Sequence, residues 1–80
     1  MKKVLIYSTP TCQYCKMAKE YFTKNNIPYE DFNVAVDDTR RQEALKKSQQ
    51  IGVPVIDIEG EIIVGFNRSE IDRALGLGKK

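Results

Sequence analysis

Lys3-Val4-Leu5-Ile6-Tyr7-Ser8-Thr9-Pro10-Thr11-Cys12-Gln13-Tyr14-Cys15-Lys16-Met17-Ala18-Lys19-Glu20-Tyr21-Phe22 is the stretch on which the fold turns. Lys3–Tyr7 carries a continuous β-branched, aliphatic and aromatic run without polar alternation, the pattern of a strand covered on both faces. Ser8-Thr9-Pro10 stops the run, and from Gln13 the apolar period changes. Met17, Ala18, Tyr21 and Phe22 recur at i, i+1, i+4 and i+5, which is one face of a helix. The chain's two cysteines, Cys12 and Cys15, stand where strand gives way to helix.

That placement carries chemistry. A thiol at a helix N-terminus meets unpaired backbone N–H groups and the positive end of the helix dipole, and both favour thiolate over thiol. The thiolate is the form that attacks disulfides. Cys12 takes this position and faces solvent, so it reads as the nucleophile. Cys15, one turn on and less exposed, is near enough to resolve the mixed disulfide that such an attack creates. Other uses of the pair are weaker. Structural zinc takes four N or S ligands, and the chain has no histidine and no third cysteine. A zinc-linked interaction module would therefore need a dimer. A structural bridge across four residues closes almost no loop and adds little stability. Lys16 and Lys19, on the same helix, either add positive potential to the site or form its solvated face.

Outward from this stretch, Asn25-Asn26 suits the left-handed end of the first helix. Tyr29–Val34 reads as a second strand, and Thr39-Arg40-Arg41-Gln42 as a capping box that opens a second helix. Ala44, Leu45, Ser48 and Ile51 give that helix a buried face, and Gly52 ends it. Val55–Ile58 and Glu61–Val64 are short strands joined by Glu59-Gly60, a two-residue hairpin turn. Asn67-Arg68-Ser69-Glu70 caps a last helix with Ile71, Ala74 and Leu75 on its inner face, and Gly76–Lys80 is a fraying tail. The order is β-α-β-α-β-β-α. Its first β-α-β is a parallel unit, and helices on both faces of a four-stranded sheet bury all three one-sided helices. Periodicity leaves the direction of the third strand open.

Composition narrows the function. Eighty residues form one domain, 1–80, with one small core that buries roughly 60 % of the unfolded chain's surface. Apolar content of 41 % with 30 % charged residues is ordinary globular composition. Thirteen basic and 11 acidic residues, spread through the chain, give +2. No basic stripe with interleaved aromatics points to nucleic acid, and no segment reaches membrane-spanning length. The apolar run after Lys2-Lys3 is too short for a secretory signal. The expected compartment is the cytoplasm, where close cysteine pairs are catalytic or metal-binding more often than structural.

Thr11-Cys12-Gln13-Tyr14-Cys15-Lys16 after the first strand, Gly52-Val53-Pro54 before the third, and Gly65-Phe66-Asn67 before the last helix resemble the glutaredoxin family of the thioredoxin fold. The resemblance runs from Val4 to Leu75. Gly65-Phe66-Asn67 resembles the small redoxins that serve ribonucleotide reductase, and the chain as a whole is more similar still to the short glutaredoxin-like proteins of anaerobes, the YruB group. The resemblance implies an α/β thioredoxin fold, a mixed sheet whose third strand is antiparallel to the first, and a cis Val53–Pro54 bond facing the cysteines. An X–Pro bond adopts cis for about 0.5–1 kcal/mol. In the family this leaves the preceding backbone, here Val53, free to pair with an incoming thiol peptide. The plain alternatives are an edge-strand proline for Pro54, the weaker reading in this context, and a turn with a core phenylalanine for Gly65-Phe66. In glutaredoxins the N–H groups at the position of Asn67 hold the γ-glutamyl carboxylate of glutathione.

The resemblance further implies a thiol–disulfide oxidoreductase with a redox-active Cys12–Cys15 disulfide and no tightly bound cofactor. Thr11, Gln13, Tyr14, Val53, Pro54, Gly65, Phe66 and Asn67 would surround the substrate, with Tyr14 either a surface aromatic for partners or simply half-buried. The expected partners of this monomer are a disulfide-containing protein and a reductant, either glutathione or a thioredoxin-reductase-type flavoprotein. A dimer bridging an iron–sulfur cluster through Cys12 and glutathione is the remaining use. Three positions depart from the family. Gln13 replaces a proline and restores an N–H that can reach the Cys12 sulfur. Thr9 stands where a lysine commonly binds the glycyl carboxylate of glutathione. Phe66 replaces the second glycine of a Gly-Gly turn, with Arg40, Arg41 and Arg68 as candidate replacement charges.

Overall fold

The computed structural model describes residues 3–49 and 52–76. Strands β1 (Val4–Ser8), β2 (Glu30–Asn33), β3 (Val55–Ile58) and β4 (Glu61–Val64) form one sheet in the order β2-β1-β3-β4. β1 pairs parallel to β2 and antiparallel to β3, and β3 antiparallel to β4. Helices α1 (Gln13–Lys24), α2 (Asp38–Ser48) and α3 (Arg68–Leu75) complete the β-α-β-α-β-β-α order. This is the mixed sheet of a thioredoxin-like fold, and it supplies the direction of β3 that periodicity leaves open.

Alternation along β1 divides the interior in two. Val4 and Ile6 face α1 and α3, in a core with Ala18, Phe22, Ile56, Ile58, Ile63, Ile71 and Ala74. Tyr7 faces α2 with Val34, Ala44 and Val55. Phe22 is fully buried, at the centre of a ring contact with Tyr29 and Tyr21. Its truncation to alanine would cost about 3–5 kcal/mol.

Local chemistry explains most element ends. Glu59 and Gly60 have φ of 52° and 93°, the left-handed pair that a two-residue hairpin turn needs. Asn26 sits at φ 58° just past α1. Asn67 caps α3 by accepting the Glu70 N–H at 3.3 Å. Other ends differ from the sequence reading. α2 is capped by Asp37, which accepts the Arg40 N–H at 3.1 Å, not by Thr39. The carboxylate two residues earlier is an equally strong cap and adds a charge favoured by the dipole. α2 ends at Ser48, with Gln49 left-handed at φ 61°, before reaching Gly52. Leu45 and Met17 are exposed, because the faces of α2 and α1 are narrower than their apolar residues suggested. Gly76 caps α3 rather than fraying, and its N–H bonds the Arg73 carbonyl at 3.2 Å. Ile51 and Leu77–Lys80 lie outside the described residues.

A polar network ties α2 to the sheet. Lys47 Nζ donates to Asp57 at 2.6 Å and to the Tyr7 hydroxyl at 2.8 Å, and Tyr7 donates to Glu43 at 3.2 Å. Asp57, buried on β3, also accepts the Gly60 N–H at 2.7 Å. Asp57→Ala should lower stability by about 1.5–3 kcal/mol, the value of charge-assisted hydrogen bonds to a partly buried partner. An unchanged urea midpoint would contradict this. Burial alone pushes the Lys47 ammonium down, but its bonds to Asp57 and Tyr7 outweigh burial and its pKa is raised. Tyr21 is also raised, chiefly because its hydroxyl donates to Asp72 and secondarily by burial. Both groups are held protonated by the fold. Their stabilisation is therefore complete below their ordinary values of 10.5 and 10.0 and lost as pH rises through the raised ones. The thermal unfolding midpoint should fall as pH rises above about 10, and Lys47→Met with Tyr21→Phe should flatten that limb.

Candidate active site

The strand directions gather the site at one end of the sheet. The C-terminus of β1 lies beside the N-terminus of β3 (Tyr7 opposite Val55), which in turn lies beside the C-terminus of β4 (Val55 opposite Val64). The segments Thr9–Cys12, Gly52–Pro54 and Gly65–Asn67 therefore leave the same end. β2, parallel to β1, delivers Val34–Val36 there too.

Cys12 is the N-cap residue of α1, with φ −85° and ψ 114°, and its N–H is held by the Thr9 carbonyl at 3.3 Å. It is half-buried, whereas Cys15 is 0 % exposed. The two are joined as a disulfide with Cα atoms 5.2 Å apart. Cys12 Sγ accepts the Cys15 N–H at 3.0 Å. The donor is thus the third helical residue, the one N-cap geometry favours, and not Gln13, the first. The first turn of α1 carries no acidic side chain, so nothing there opposes negative charge on Cys12.

Thr11, Gln13 and Tyr14 ring the pair at the surface, Tyr14 being 60 % exposed. The Val53–Pro54 bond is cis, and the Pro54 carbonyl accepts the Gly65 N–H at 2.8 Å. That hydrogen bond fixes the turn before α3 against the proline. Gly65 has φ 83°, a conformation that favours glycine. Phe66 packs edge-on to Tyr21, ring centroids 5.9 Å apart, and against the core. Asn67 spends its side chain on capping α3.

Sequence reasoning missed two features. One is a groove of about 600 Å³ that starts at Thr9 and Val53 and runs between the β2–α2 loop and α2, past Val34, Val36, Leu45 and Arg41. Val36, 82 % exposed on its wall, lay outside every predicted element. The other is the cluster of Ser8, Asp31 and Lys19, whose members come from β1, β2 and α1. The candidate arginines are all engaged: Arg40 with Glu43 and over the Phe32 ring, Arg41 with Asp38, and Arg68 over the Tyr21 ring.

A family model described as glutaredoxin matches residues 4–63. The chain belongs to the glutaredoxin family. This glutaredoxin is 54 % identical over 72 residues to a glutaredoxin-like 8.6 kDa protein in a rubredoxin operon of Clostridium pasteurianum, covering 90 % of this chain and 96 % of the relative. It is 31 % identical over 65 residues to glutaredoxin 3 of Escherichia coli K12, covering 81 % and 78 % of the two chains. Among solved structures it is similar to the thioredoxin-like protein BC3987, with TM-score 0.83 and 30 % identity over 89 % of this chain and 97 % of that one. The family supports a redox role in general. No helix among the described residues is long and apolar enough to cross a membrane.

Proposed function

We propose that this glutaredoxin is a dithiol thiol–disulfide oxidoreductase that reduces disulfides of protein partners, working as a cytoplasmic monomer without a tightly bound cofactor. The observation that supports it most is the asymmetry of the pair. Cys12 Sγ sits at the helix N-cap and accepts an N–H, while Cys15 is wholly enclosed one turn on.

Cys12 thiolate attacks one sulfur of the substrate disulfide, forms a mixed disulfide and expels the first substrate thiolate. Cys15 thiolate then attacks Cys12 Sγ, closing the Cys12–Cys15 bond and releasing the second substrate thiolate. Two electrons pass to the substrate and two protons come from solvent. An external reductant reopens the bond. In this reading Val53, before Pro54, and the exposed Tyr14 contact the polypeptide that carries the target disulfide.

The test mixes the reduced protein with a peptide disulfide and follows both by mass. Stoichiometric conversion of the peptide to two thiols, with loss of two hydrogens from the protein, is expected. Both thiols free after equilibration with a more oxidising disulfide would refute the reading.

A further inference from the structure

Ser8 is 2 % exposed at the end of β1. Its hydroxyl donates to Asp31 Oδ1 at 2.7 Å and accepts from Lys19 Nζ at 3.4 Å, and Lys19 reaches Asp31 Oδ2 at 2.8 Å. The cluster lies on the side of the sheet that α1 covers. Val4, Ile6 and Ser8 alternate onto that side, and Asp31 is in register with Ile6. On α1, Cys15 and Lys19 are four residues apart on neighbouring turns, their Cβ atoms about 5–6 Å apart. Helical side chains lean toward the N-terminus, so the Lys19 stem runs back over the turn that holds Cys15.

A resolving thiol enclosed as Cys15 is has a difficulty. Burial disfavours the thiolate it must become, and the N–H donation from the helix start goes to Cys12 instead. We infer that Lys19, held in place by Ser8 and Asp31, is the cation that ionises Cys15 for the resolving step. The inference rests on the dithiol cycle proposed above. In that step the Cys15 thiol loses its proton to solvent and its sulfur bonds to Cys12 Sγ. The Cys12–substrate S–S bond breaks, and the substrate thiolate leaves with the electron pair and is protonated by water. Lys19 touches no reacting atom; it is a positioning residue that acts through its charge. The opposing charge, Asp31 on the edge strand β2, is 2.8 Å from the Lys19 ammonium, so Cys15 meets the field of an ion pair whose positive member is carried on its own helix. Lys16 is exposed on α1, and on α3 Asp72 and Arg68 are engaged with Tyr21.

The test reacts the reduced protein with an aryl disulfide whose leaving thiolate is coloured. The first release reports attack by Cys12, the second resolution by Cys15. An opposite charge within about 4–6 Å lowers an acid's pKa by roughly 1–3. Lys19→Met should therefore move the midpoint of the second phase up by about one pH unit or more and leave the first phase unchanged. Thiolate nucleophilicity rises with basicity, with a Brønsted slope of about 0.4–0.5. For each pH unit that the midpoint moves, the variant should resolve about three- to fourfold more slowly below the midpoint and about threefold faster above it. Lys19→Arg should restore the original profile. A slowing of equal size at every pH, or an unchanged profile, overturns the proposal while leaving the cycle intact. Absence of a second phase in the unaltered protein overturns the cycle and the proposal with it.

Discussion

Cys12→Ser should abolish disulfide reduction, whereas Cys15→Ser should stop the cycle halfway with substrate bound covalently to Cys12. Both variants remove one thiol from the same helical turn, so the contrast follows from position alone. Cys12 is half-exposed at the N-cap and its sulfur accepts the Cys15 N–H at 3.0 Å. Thiolate there is stabilised by the unpaired donors and the dipole of α1. Cys15 is 0 % exposed, so without Cys12 no external disulfide can reach it. Without Cys15, attack still occurs but nothing displaces the mixed disulfide. Mass spectrometry of Cys15→Ser after exposure to a peptide disulfide should show one adduct per chain, and Cys12→Ser none. Alkylation of Cys15→Ser against pH should give a midpoint well below the free-thiol value of about 8.5. A midpoint at or above that value would sink the assignment of Cys12 as nucleophile.

Much of this was legible because the deciding signals are local. The change of period between Tyr7 and Gln13 located β1, α1 and the cysteine pair within one residue of their observed bounds. Asn67 and Glu59-Gly60 announced a cap and a turn through their own side-chain and backbone chemistry. Direction was different. Nothing in Val55–Ile58 tells a strand which way to run; only the resemblance implied the antiparallel β1–β3 pairing. α2 was misread at both ends because Asp37 and Thr39 are both good caps and the helix pattern has no strong apolar stripe. The Ser8–Asp31–Lys19 cluster was illegible for another reason. Its members are 11 to 23 residues apart, and each alone looks like an ordinary polar residue. The parallel register of β1 with β2 brings Ser8 and Asp31 together, and the packing of α1 on that face adds Lys19.

The reductant should be a thioredoxin-reductase-type flavoprotein, not glutathione. Glutaredoxins that use glutathione commonly hold its glycyl carboxylate with a lysine three residues before the first cysteine, and Thr9 stands there. Thr9 and Val53 both line the groove. The loss of one charge-assisted hydrogen bond is worth about 1.5–3 kcal/mol, or roughly ten- to a hundredfold in affinity. Replacement charge in the groove comes from Arg41 alone among the three arginines. Arg40 is paired with Glu43 and stacked on Phe32 and Arg68 lies over Tyr21, while Arg41 lines the groove beside Asp38, which offsets its charge. The groove wall combines apolar Val34, Val36, Leu45 and Val53 with Asp38, Arg41 and Gln42, and its apolar part suits a protein side chain better than glutathione, which carries two carboxylates and an ammonium. Turnover measured at matched driving force should be fast with NADPH and the flavoprotein and slow with millimolar glutathione and its reductase. Thr9→Lys should raise the glutathione-dependent rate by roughly ten- to a hundredfold and leave the flavoprotein-dependent rate unchanged. Fast turnover of the unaltered protein by glutathione, with a saturable complex at Cys12, would show that Thr9 does not set the reductant.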